Sequence, residues 1–128
     1  MGIKMTERLL DPVILLDHLN GINKATRFVT GLDPQKTAIS VITRAEILVG
    51  VEESVKSLVK AFLDQYRLLP IDKPIADLSA ALRREYGWKL PDAFQAALAK
   101  YYRIKLTTRN SKDFDPKKHN FVEVPYSI

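Results

Sequence analysis

Apolar and polar positions alternate along the chain in a way that divides it into short buried strands and amphipathic helices. Leu9-Leu10-Asp11 reads as the end of a buried strand. Pro12 suits a first helical position with Asp11 as its cap, and the helix runs over residues 13–19, stopping near Asn20-Gly21. Ala25, Phe28, Val29 and Leu32 recur at i, i+3, i+4 and i+7 and predict a second helix. Residues 37–41 predict a strand, and residues 46–51 open another helix. Val55, Leu58, Val59, Phe62, Leu63 and Tyr66 form the clearest amphipathic stripe. Residues 67–71 are a short strand that Pro70 closes or places at an edge. Ile75, Leu78, Leu82 and Tyr86 mark a helix ending at Gly87, and Pro91 opens one with Phe94, Ala97, Leu98 and Tyr101 on its buried face. Residues 104–108 and 121–124 are the last strands. The order predicts an α/β fold: a three-layer α/β/α sandwich around a mainly parallel sheet with right-handed crossovers.

Composition narrows this picture only slightly. A chain of 128 residues is read as one domain, residues 1–128, large enough for a core without staples. The absence of cysteine excludes a disulfide scaffold and thiolate metal sites, and it fits a reducing cytoplasm. No apolar run approaches the roughly 18 residues of a membrane span, so no membrane role is expected. Gly2 and Thr6 match the loose N-myristoylation pattern, while Met5 offers a second possible start. Charge is uneven. Residues 1–64 hold 8 Lys+Arg and 8 Asp+Glu, whereas residues 65–128 hold 12 and 7. A basic second half suits a polyanion, although a solvated basic surface explains the charge equally well.

Four acidic positions carry more information than the totals. Asp11, Glu46 and Asp92 stand near handovers between strand and helix, and Asp113 lies beyond the strand at residues 104–108. In a parallel sheet such handovers converge on one edge, the usual ligand crevice. Carboxylates gathered there repel one another unless a cation sits among them, and hard divalent ions prefer oxygen ligands, so the pattern suggests Mg²⁺ or Mn²⁺. Each acid also has a purely local explanation. Asp11 caps a helix, Thr43 and Glu46 form a capping box, Asp92 at the second helical position favours the dipole, and Asp113 turns a loop. Asn110 could supply a neutral oxygen, orient a water, or cap the turn. His18 and His119 match no ligand spacing and are read as packing or surface residues.

Leu9-Leu10-Asp11, the run from Ser40 to Gly50, Leu90-Pro91-Asp92-Ala93 and the run from Leu106 to Phe114 resemble PIN-domain ribonucleases of the VapC toxin type. The likeness extends from about residue 8 to residue 125. It implies a metal-dependent endoribonuclease acting on tRNA or other structured RNA, a homodimer, and silencing by a VapB-type antitoxin. It also implies that Asp11, Glu46 and Asp92 are the three firm acids, with Asp113 as the fourth charge and Asn110 its neighbour. One departure stands out. The family usually follows its first aspartate with Thr-Asn or Thr-Ser, whereas Pro12 and Val13 offer no side-chain donor or acceptor. Reduced activity is the expected result.

The implied chemistry is hydrolysis of an RNA phosphodiester, with Asp11 and Asp92 as direct metal ligands and Glu46 reaching a water. Arg83, Arg84, Lys89, Arg109 and Lys112 are candidates for the RNA backbone. One rival is a catalytically weak module that holds RNA or an antitoxin without cutting. Another, a phospho-acceptor domain, would want an acidic pair after the first strand, where Pro12 and Val13 stand instead.

Overall fold

The structure, a computed structural model, describes residues 5–128, so Gly2 of the myristoylation pattern lies outside the described residues. Five strands form one sheet: β1 (Arg8–Leu10), β2 (Thr37–Ser40), β3 (Arg67–Leu69), β4 (Lys105–Thr107) and β5 (Val122–Glu123). Their order is β3-β2-β1-β4-β5, and every pairing is parallel. The helices are α1 (Pro12–Leu19), α2 (Asn23–Thr30), α3 (Val41–Val49), α4 (Lys56–Leu63), α5 (Lys73–Tyr86) and α6 (Leu90–Tyr102).

Period-two alternation builds the three layers. Leu9 lies beside Ala38 and Leu106, and Leu106 beside Val122. All four belong to an apolar cluster with Ile75 and Leu82 of α5, Leu98 of α6, Trp88 and Phe114. Leu10 and Ile39, each one residue further along, belong instead to a cluster with Ile14, Leu15, Ile47 and Leu63. Successive strand residues point to opposite faces, so α5 and α6 cover one and α1–α4 the other. This is the α/β/α sandwich that the sequence predicts.

Three details differ from expectation. Val41 reads as the end of a strand and the next helix as opening at residue 46, yet α3 already begins at Val41. Ser40 starts it, its hydroxyl accepting the Thr43 N–H at 3.0 Å, and a satisfied helix start outweighs local β preference. The buried face of α6 is Ala93, Gln95, Ala96, Ala97, Leu98 and Ala99, whereas Phe94 is half-buried and Tyr101 is exposed. Small alanines let the helix lie close to its neighbours on more than one side. Tyr66, placed in the amphipathic stripe, is buried but lies past the end of α4.

The chain leaves β1 toward β2 on one side and reaches β4 on the other. That reversal opens a crevice at the carboxyl ends of β1 and β4. Residue 11 follows β1, α3 follows β2, and residues 108–121 follow β4. Because α6 runs into β4 through Arg103, its first turn lies at the same edge.

Candidate active site

Asp11 is held at the crevice from both sides. Its N–H donates to the Thr107 carbonyl at 2.9 Å, extending the β1–β4 pairing by one residue, and Pro12 then starts α1. Asp11 occupies the cap position, but its carboxylate makes no full cap hydrogen bond, only a weak approach to the Val13 amide. Instead Oδ2 accepts from the Thr108 hydroxyl at 3.0 Å. The same hydroxyl accepts the Asn110 N–H at 3.0 Å, which ties the loop after β4 to the acid after β1. Asp11 is 6% exposed. Burial, reinforced by the Asp92 and Glu46 charges, pushes its carboxyl up to about 7 against the opposing Thr108 bond and a weaker one from the Val13 amide.

The helix start at Val41 removes the local explanation of Glu46. Thr43 is the third helical residue rather than the cap, and its N–H is taken by Ser40, so the Thr43–Glu46 capping box does not form. Glu46 lies one turn further on, exposed, with its carboxyl raised by partial burial and then by Asp92. Asp92 is the third residue of α6, one place later than expected, and half-buried. Burial and then the Asp113 charge raise its carboxyl, and Lys89 opposes them. Asp113 is exposed, and its Oδ2 accepts from the Asn110 side-chain amide at 3.0 Å. Asn110 is therefore engaged with Asp113.

These interactions link the four acids into one repulsive field: Asp11 with Asp92 and Glu46, Glu46 with Asp92, Asp92 with Asp113. Among the described residues, no three His, Cys, Asp or Glu side chains are already grouped to hold a metal ion. The donor set nevertheless fits a hard divalent cation. It is all oxygen, and the raised carboxyls mark a repulsion that a cation would relieve. Mg²⁺ typically takes only one or two carboxylates and keeps several waters, so a closed protein shell is not required.

Arg109 is paired within the chain. Its guanidinium grips both oxygens of Asp17, and the Tyr126 hydroxyl donates to the same carboxylate at 2.9 Å. Arg83 donates to the Trp88 carbonyl at 2.6 Å. Arg109 and Arg83 are thus each engaged with an internal acceptor, and Arg83 remains exposed. His18 contacts Thr26 and Phe62, and His119 contacts Tyr86, Trp88 and Phe121, which are packing roles.

Sequence reasoning missed Asp17 and Gln95. Asp17 follows Ile14 by three residues on the buried side of α1, and a carboxylate there requires a partner. That spacing was the available signal. Gln95 donates to the Thr43 hydroxyl, while its buried Oε1 has no partner among the described residues. No local pattern marks that residue.

Residues 9–118 match the PIN domain. The fold is similar to a chain of a toxin–antitoxin complex from Klebsiella pneumoniae, with 37% identity, a TM-score of 0.87, and coverage of 95% of this chain and 100% of that one. It is also similar to FitAcB from Neisseria gonorrhoeae, with 23% identity, a TM-score of 0.77 and coverage of 94% and 99%. A third likeness is to DNA-bound VapBC from Salmonella typhimurium, at 22%, 0.72, and 87% and 92%. The last two identities show the fold alone. No curated protein matches the sequence. The matched segment contains the whole acidic edge, the VapC-type resemblance of the motifs holds, and the chain belongs to the PIN-domain family.

Proposed function

We propose that the protein is a metal-dependent endoribonuclease and the toxin of a toxin–antitoxin pair, acting in the cytoplasm as a single 1–128 domain. The carrying observation is the set of coupled carboxylates at the sheet edge, with buried Asp11 raised to about 7. Asp11 and Asp92 would hold Mg²⁺ or Mn²⁺, with Asp113, steadied by Asn110, completing the charge. The bound cation supplies charge neutralisation at the phosphate and a more acidic water. Glu46, exposed and with a raised carboxyl, would take the proton from the attacking water. Exposed Lys89 and Lys112 bind the phosphate backbone of an RNA such as tRNA. The Klebsiella pneumoniae relative, found in a toxin–antitoxin complex, supports an antitoxin partner here. Val49 and Leu58, exposed on neighbouring helices, suit that partner or the second copy of a homodimer.

Purified protein with RNA and Mg²⁺ or Mn²⁺ should yield fragments, and excess EDTA should stop the reaction. Cleavage that survives EDTA would overturn the metal requirement. The second reading, a module that binds RNA or an antitoxin without efficient cleavage, is favoured by Pro12, which is buried and offers no group beside Asp11. Tight metal-dependent RNA binding without fragments would select it.

A further inference from the structure

We propose that the cleft between the end of α5 and the loop after β4 is a nucleobase-stacking subsite, taking a base of the RNA strand beside the cleaved bond. The inference rests on the nuclease reading and adds a contact that the acids do not provide. The cleft encloses about 360 Å³ and is lined by Tyr86, Trp88, Lys112, Asp113, Lys118 and His119 among others. Its size is within the range of small-ligand sites.

The walls are a prepared aromatic platform. Gly87 adopts φ 74°, the left-handed turn that ends α5, and the residues on either side of it stack on one another. The Tyr86 and Trp88 rings lie 4.5 Å apart at 20°. The His119 ring meets both edge-on, at 5.1 and 5.2 Å. Trp88 is fixed beneath: its indole N–H donates to the Asp113 carbonyl at 3.0 Å, and Arg83 holds its own carbonyl. Tyr86 nevertheless remains 44% exposed. A flat partner added to Tyr86 would extend an existing stack, and little ordering remains to oppose it.

Charge and position select a nucleotide. Lys112 and Lys118 line the cleft and suit a phosphate. Asp115, the other carboxylate on the wall besides Asp113, already accepts the Lys117 N–H at 2.9 Å. Asp113 is shared with the acidic edge through its interaction with Asp92. The cleft and the acidic edge thus share Asp113, so a strand held at the acids would have the rings beside it.

The test uses a short single-stranded RNA, with binding measured in EDTA so that no cleavage is needed. Tyr86→Phe should bind as the wild type. Tyr86→Leu, which keeps an apolar cover on Trp88 without a π face, should bind roughly 5- to 100-fold more weakly. An abasic nucleotide scanned along the RNA should reproduce that loss at one position with wild-type protein, and add nothing with Tyr86→Leu. This arm needs no mutant fold. Equal affinity of Tyr86→Leu and wild type, or no sensitive abasic position, overturns the subsite. So does a Tyr86→Leu defect confined to antitoxin binding. A nuclease that still cuts with Tyr86→Leu at the wild-type rate refutes only the subsite, whereas base-dependent binding without any cleavage refutes only the nuclease reading.

Discussion

Asp11 and Asp17 lie six residues apart, are both 6% exposed, and have opposite electrostatics. Burial and neighbouring acids push Asp11 up to about 7, while the Arg109 guanidinium beside Asp17 holds its carboxyl below the usual range. The difference is a cation. Asp17 received one from the chain itself, with Tyr126 as a further donor. Asp11 received a hydroxyl and a weaker amide contact but no cation, although Arg109 is near enough to sense it. Burial alone therefore does not identify a functional acid. A buried acid whose countercharge is missing does.

The strongest way to break this contrast is Asp11→Asn. The folded carboxyl holds its proton up to about 7, and the unfolded one only to about 4, so the folded state carries the extra proton between those values. Wild-type stability should fall across that window as pH rises. Without metal, Asp11→Asn should be more stable than wild type by up to about 4 kcal/mol at pH 8, with a smaller gap at pH 5. Urea unfolding at both pH values checks it, and a gap independent of pH would remove Asp11 from the frustrated class. Mn²⁺ should restore wild-type stability at pH 8 but not help the variant.

Asp17→Asn probes the satisfied member and should act in the opposite direction. It leaves Arg109 without its countercharge and costs about 3 kcal/mol at pH 7. Because the folded Asp17 carboxyl is lowered, its contribution is present above about pH 4 and disappears as pH falls through the folded value. Thermal or urea unfolding at pH 7 and pH 3 should show the penalty shrinking in acid. A neutral result at pH 7 would mean the pair is only a surface contact.

Glu46→Gln sharpens the comparison because Glu46 belongs to the acidic edge but is exposed. Cleavage should drop by about 100-fold or more, as for a lost general base, with stability changed by less than about 0.5 kcal/mol. Initial rates on one RNA, with urea unfolding alongside, test both halves. Wild-type rates would leave Glu46 no part in the reaction. The smallest effect is a control touching neither acid. Gly87→Ala should cost about 1 kcal/mol from its left-handed backbone alone, since beyond the two chain neighbours no atom of the described residues lies within 4 Å of the added carbon. A differential melting scan resolves that.

The layers and the handover points could be read from the sequence because both are periodic. Leu9 and Leu10 already state that two faces are covered. Positions decided by distant partners could not. The start of α3 depends on a Ser40 side-chain bond that competes with the β preference of Val41 and Ile42. Asp17 looked like an ordinary polar residue until Arg109 and Tyr126 arrived from the far end of the chain. The gathering of the acids at one edge was legible, but the pairing of the Asn110 side chain with Asp113 required a loop shape that no short motif encodes.

The hydroxyl that joins Thr108 to Asp11 closes a span of 97 residues. Such a closure carries a large loop entropy and forms late, after the local helices. During synthesis at about 5–20 residues per second, β4 and the loop behind it emerge only after β1, β2 and β3. The half-made chain therefore has β1 without the neighbour that holds Asp11 at the crevice. In the nuclease reading proposed above, this chain order leaves the acidic edge of a nascent copy unassembled until β4 and the loop behind it have been made.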